Sequence, residues 1–241
     1  MVLEYQTLDD RAIVRQLLQL RNRIAERFPV RGLTQTATHL CDISRPTARE
    51  AAALGKTQWG LRVLSILAIG AGVAGLIQLA VYFDLSVGDK LQLTEFTQAL
   101  EAALNIVLLS ALFIAFFVRL EKLYKREKAL NGLYRLRAIA HVIDMHQLTK
   151  DPPSVTRMGR TDSSPVRDLT EEQLLRYLDY CSEMLSFTSK LAALYAQYFP
   201  DSTVVSAVND VEQLTTNLSH KIWQKIVLIQ GNDRGIHQGY E

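Results

Sequence analysis

Between Arg62 and Asp84 the chain carries no charged side chain, and Val63 to Phe83 is a run of twenty-one uncharged residues, mostly Leu, Ile, Val, Ala and Gly. An α-helix needs about 20 such residues to cross the hydrocarbon core of a bilayer. The run therefore predicts a transmembrane helix, placed at residues 59–84. It starts about sixty residues into the sequence, and "MVLEYQTLDD" has neither the basic start nor the apolar core of a secretory signal.

A second run, Ala102 to Val118, is bounded by Glu101 and Arg119 and is lengthened by Ala99 and Leu100, which places a second transmembrane helix at 100–119. The competing reading of one such run is a core helix beneath a soluble domain. Two runs joined by a short polar segment, 85–99, fit a membrane hairpin better. Basic residues set its direction: Arg49, Lys56 and Arg62 precede the first helix, and Arg119, Lys122, Lys125, Arg126 and Lys128 follow the second. Residues 84–101, the connecting segment with its flanks, hold Lys90 against Asp84, Asp89, Glu95 and Glu101. The positive-inside tendency then puts both termini in the cytoplasm. With 48% hydrophobic and 22% charged residues and a net charge of +2, the composition is that of such a hairpin averaged with an ordinary helical domain.

The remaining segments read as helical and cytoplasmic. In residues 1–58, Ile13, Leu17, Leu20 and Ile24 have helical spacing, with Thr7 and the Asp9–Asp10 pair suited to cap the start. A looser stretch from Val30 leads to Pro46, the expected first-turn proline of a helix running on into the membrane, with Trp59 at the interface. Residues 120–150 continue the second transmembrane helix without a stop signal, with an apolar face of Leu133, Leu136, Ala140 and Ile143. Gly132 is its expected kink or close-packing point.

Residues 151–168, rich in Pro, Ser, Thr and Asp, read as a linker; Arg157, Arg160 and Arg167 within it either meet an anionic ligand or are simply solvated. Thr170 and Gln173 form a capping-box pattern that opens a helical hairpin over 169–230, followed by a tail, 231–241. Leu174, Leu178, Cys181, Leu185, Thr188, Ala192, Tyr195 and Phe199 step by four and three. After "PDST", Val204, Val208, Val211, Thr215, Leu218, Ile222, Lys225 and Ile229 do the same. The fold class is all-α: a two-helix membrane hairpin with a cytoplasmic helical bundle.

Three sets of residues stand out. On the second transmembrane helix Glu101, Asn105, Leu108, Leu112 and Arg119 share one stripe, polar at its ends and apolar between. Around a common axis of several copies they would line a pore with a leucine constriction. The same polar ends equally mark membrane boundaries, and Asn105 equally suits a hydrogen bond to Gln78 across the hairpin. On the first helix Ala68, Gly72 and Gly75 offer a close-packing surface. Past the membrane, Arg137, His141 and Asp144 line one helical stripe and suggest a polar network that fixes register. His141 and His146 lack the spacing of a helical two-His metal site, and Cys41 and Cys181 read as packing residues. The sequence holds no Gly-rich phosphate loop, GxSxG or HExxH. Neither an enzyme nor a metal or cofactor is expected.

This layout resembles the two-transmembrane-helix membrane effectors of bacterial anti-phage defence systems. The resemblance rests on architecture and carries no diagnostic motif. It implies an inner-membrane homo-oligomer, a ring of several subunits among membrane lipids, opened by a nucleotide, a nucleic acid or a cytosolic protein. The alternative expectation is a membrane-anchored scaffold or signalling adaptor that presents its bundle to a cytosolic protein.

Overall fold

The computed structural model describes residues 7–56, 59–86, 93–148, 150 and 169–237. Six helices account for nearly all of them: α1 (Asp10–Arg27), α2 (Gly32–Leu54), α3 (Trp59–Ser86), α4 (Leu93–Leu148), α5 (Glu171–Tyr198) and α6 (Ser202–His237). There is no strand among the described residues. The chain divides into two units, one of residues 1–55 with 128–241 and one of residues 56–127. α4 is helical through the boundary between them.

The larger unit is a helical bundle built around α5, which packs against α1, α2 and α6. Its core takes the expected faces: Ile13, Leu17, Leu20 and Ile24 of α1, and Leu133, Leu136, Ala140 and Ile143 of α4, are buried. So are the stepped positions of α5 and α6, apart from half-buried Phe199 and Lys225. Each large apolar side chain fully removed from water contributes about 1.5–3 kcal/mol, so this shared core outweighs the modest propensities of its parts. Local signals set the helix ends. Asp9 Oδ1 accepts from the backbone N–H groups of Arg11 and Ala12 at 2.9 and 3.1 Å. The Gln173 N–H donates to Thr170 Oγ1 at 3.2 Å, and the Thr170 N–H to Gln173 Oε1 at 3.0 Å, completing the expected capping box.

α2 departs from expectation. It begins at Gly32 and carries Pro46 in its interior, where a helix start was predicted. A mid-helix proline removes one backbone donor and costs about 3 kcal/mol. Tertiary packing offsets this, because Leu33, Ala37, Leu40, Cys41, Ser44, Ala48 and Ala51 form a continuous buried face. The hydroxyls of Thr36 and Thr38 bond the carbonyls four residues back, and Ser44 Oγ bonds the Cys41 carbonyl. α2 also ends at Leu54 with Gly55 as its C-cap, and α3 is a separate helix from Trp59.

Other boundaries shift outward. α4 starts at Leu93, before the expected 100, and α6 reaches His237, past the expected 230. The linker 151–168, with Arg157, Arg160 and Arg167, lies outside the described residues.

Candidate functional site

The unit of residues 56–127 pairs α3 with the first part of α4. A Cβ on Gly72 would lie 2.7 Å from Ser110 Oγ, and one on Gly75 would lie 3.9 Å from Ile106 Cδ1. Gly72 therefore lies closer to α4 than a side chain allows without Ser110 moving, whereas the Gly75 position leaves ordinary van der Waals room and Gly70 meets nothing within 4 Å. Ala68 belongs to the same helix, but its side chain is outside the described set. On α4 the half-buried face runs through Ile106, Ser110, Ile114 and Phe117.

Leu108 and Leu112 each stand two residues beyond Ile106 and Ser110. At about 100° per residue that turns them to the opposite side of α4. Glu101, Asn105 and Arg119 are likewise exposed, and Leu108 and Leu112 are 58% and 59% exposed. The stripe read from sequence is therefore one surface facing away from α3. Gln78 and Asn105 are both exposed as well. Ile66, Leu67, Ile77, Leu104, Leu109 and Phe116 are exposed as well, so this unit has a largely apolar exterior. Among the described residues one helix, α4, contains a segment long and apolar enough to cross a membrane.

Lys125, which sequence placed only in a basic run, is 9% exposed. Its Nζ donates to the Lys56 carbonyl at 3.0 Å and pairs with Glu121 at 2.9 Å, an i,i+4 ion pair. The Glu121–Lys125 spacing was the one available signal for it.

In the bundle, the polar network differs from the predicted one. Arg137 and His141 are exposed, while Asp144 accepts from Gln147 Nε2 at 2.5 Å, so the three are not joined. They lie on the outer side of α4 because Leu136, Ile139, Ala140 and Ile143 take the inner side. The network that does form links α2, α4 and α5: Arg135 Nη2 donates to Glu50 Oε2 at 2.5 Å, and Tyr195 Oη donates to the same oxygen at 3.4 Å. Burial, then the Glu50 carboxylate, pushes the Tyr195 phenol up to about 12, so it stays a donor. Burial opposes the Arg135 charge, but the hydrogen bond and charge of Glu50 raise its pKa above the ordinary value. Gly132 makes room for this ring, and a Cβ there would overlap Tyr195 Oη.

At the end of α4, Lys225 Nζ donates to the Gln147 carbonyl at 2.8 Å, a cation on a helix C-terminus. A cleft of about 500 Å³ nearby is lined by Arg31, Gly32, Met145, His146, Lys150 and Tyr177, among others. Burial, and then the charge of Lys150, lowers the His146 pKa from its ordinary value of 6.5. A depressed histidine favours the neutral ring in the folded state, so its contribution is present above the unfolded-state pKa. That contribution is lost as pH falls below 6.5 and through the folded value. His146→Gln is expected to flatten the decline in melting temperature over that acid range while changing little at pH 8. An unchanged pH profile in the variant would remove His146 from this role.

Cys41 and Cys181 are buried free thiols, pushed up to about 11 and about 12 by desolvation. They sit as packing residues, far from the thiolate form that metals and electrophiles require. No cluster of three or more His, Cys, Asp or Glu side chains suited to a metal ion occurs among the described residues. No protein-family model, curated protein or solved structure matches the chain.

Proposed function

We propose that this chain is an oligomeric membrane effector of the inner membrane, with both termini in the cytoplasm. In this reading α3 and the first part of α4 both span the bilayer, α4 lines a gated pore, and the bundle receives the gating signal. The observation that carries it is the stripe of Glu101, Asn105, Leu108, Leu112 and Arg119, exposed on the side of α4 opposite α3. One helix pair cannot enclose a water path, so a closed ring of several copies is required. Leu108 and Leu112 would then form a dewetting constriction between polar mouths, and α3 the lipid-side wall. The resemblance to two-helix effectors of anti-phage defence favours the same assignment.

The test turns on the cost of charge in lipid. An Asp facing hydrocarbon at mid-membrane costs about 2.5–3.5 kcal/mol of insertion, whereas one facing a water-filled axis does not. Leu108→Asp is expected to insert normally, raise ion leak across vesicles or cells, and leave a multimeric ring in nanodiscs; Leu112→Asn should act in the same direction. Failure to insert, or a monomer without leak from either variant, sinks the pore.

A second reading, the membrane-anchored adaptor, is favoured by α6, where Trp223, Val227 and Leu228 are 60%, 46% and 49% exposed. Aromatic anchors of this kind dominate docking surfaces. An adaptor would tolerate the leucine replacements and lose activity with Trp223→Ala.

A further inference from the structure

Arg11 and Arg15 lie one turn apart on α1, and Arg45 and Arg49 one turn apart on α2. The two helices pack together, Cys41 Sγ meeting the Leu17 carbonyl, and all four arginines are among the residues that line one groove of about 590 Å³. Asp10 is the one acidic residue there, and its place in the first turn of α1 is accounted for by the helix dipole. Leu18 and Ala48 supply an apolar floor.

Three other arginines of the bundle are paired, Arg23 with Glu183, Arg135 with Glu50 and Arg176 with Asp179, whereas Arg27 and Arg137 stand singly on the exposed surface. Among the described residues, the side chains of Arg11, Arg15, Arg45 and Arg49 make no hydrogen bond or ion pair. Like charges one turn apart destabilise a helix, and here two such pairs face one another. An anion in the groove would reverse that sign. Guanidinium forks suit phosphate in particular, because two parallel N–H groups match two phosphate oxygens.

We propose that the α1–α2 groove binds a small ligand bearing two or more phosphate groups. Its volume falls in the range of small-molecule sites, about 300–1,000 Å³. No aromatic residue lines it, so it lacks the stacking platform that single-stranded nucleic acid uses. The chemistry is shared by soluble polyphosphates and by phospholipid headgroups. The site does not rest on the pore reading, and its test reads binding alone.

The full-length protein in phosphatidylcholine nanodiscs is titrated calorimetrically with AMP, ADP, ATP and inorganic triphosphate. Saturable binding that tightens with phosphate number and weakens with salt is expected. The pair Arg15→Gln with Arg45→Gln should weaken ATP by about tenfold or more, and the Lys versions, which keep charge and lose the fork, by less. A control pair elsewhere on the bundle, Arg27→Gln with Arg176→Gln, should leave affinity within about twofold. All these residues are exposed and Gln is a good helix former, so melting temperature should hold. Nanodiscs containing cardiolipin, whose headgroup carries two phosphates, separate the sources: competition against ATP assigns the groove to lipid headgroups, and unchanged affinity assigns it to a soluble polyphosphate. Absence of saturable binding in phosphatidylcholine, or equal loss in the control pair, overturns the proposal. So does an oligonucleotide that binds more tightly than ATP through the same arginines.

Discussion

Gly132→Ala is expected to destabilise the bundle by about 1–3 kcal/mol, the range for overpacking a filled core. The sign is the informative part, since the same change at an unconstrained helix interior stabilises by about 0.5–1 kcal/mol. At residue 132 the new methyl would overlap Tyr195 Oη and come within 2.5 Å of its Cζ. Tyr195 is fully buried and its hydroxyl is held on Glu50, so the ring has no empty space to enter. Thermal unfolding of the purified protein, followed by near-ultraviolet circular dichroism, measures the effect. Tyr195→Phe removes Oη but leaves the ring carbon, so the double variant should recover only part of the loss. A Gly132→Ala protein that melts at or above the parent would show that α4 and α5 do not meet in this way.

Leu185→Ala and Leu112→Ala should differ sharply although the chemical change is the same. Leu185 is fully buried in α5, and truncation there leaves a cavity worth about 2–5 kcal/mol. Leu112 is 59% exposed on α4, on the side away from α3, so its truncation opens no cavity within the chain. Melting temperature should fall steeply for the first and stay near the parent for the second. In a ring of pore helices, Leu112→Ala would register in conductance instead, by widening the constriction. Equal destabilisation by the two would mean that the Leu112 face is packed against protein in the assembled state.

The two outcomes follow from features of unequal legibility in sequence. The faces of α1, α5 and α6 were readable because Leu, Ile and Val recur there at three and four residues. The stripe on α4 was readable for the same reason, since spacing alone fixes which residues share a side. α2 was not, because its buried face is made largely of Ala, Cys, Ser and Thr, which bury well without standing out, and because Pro46 imitates a helix start. The network of Glu50, Arg135 and Tyr195 spans up to 145 residues of sequence. Local spacing pointed instead to Arg137 and His141, two positions further round the same helix. Gly132 was visible as an anomaly, but only its partner, Tyr195, gives the anomaly a cause. The arginine groove escaped because it takes half its charge from each of two helices whose pairing the α2 misreading concealed.

The contact between Lys125 and the Lys56 carbonyl joins points 69 residues apart. Closing a free loop of that length has an entropic cost that grows only with the logarithm of its length. Here α3 and α4 also meet within that loop, where Gly72 lies against Ser110, so the helix pairing carries much of that cost. The ammonium therefore acts as a latch on a loop that is already shut. Breaking the latch is then expected to loosen the two ends without unpairing α3 and α4.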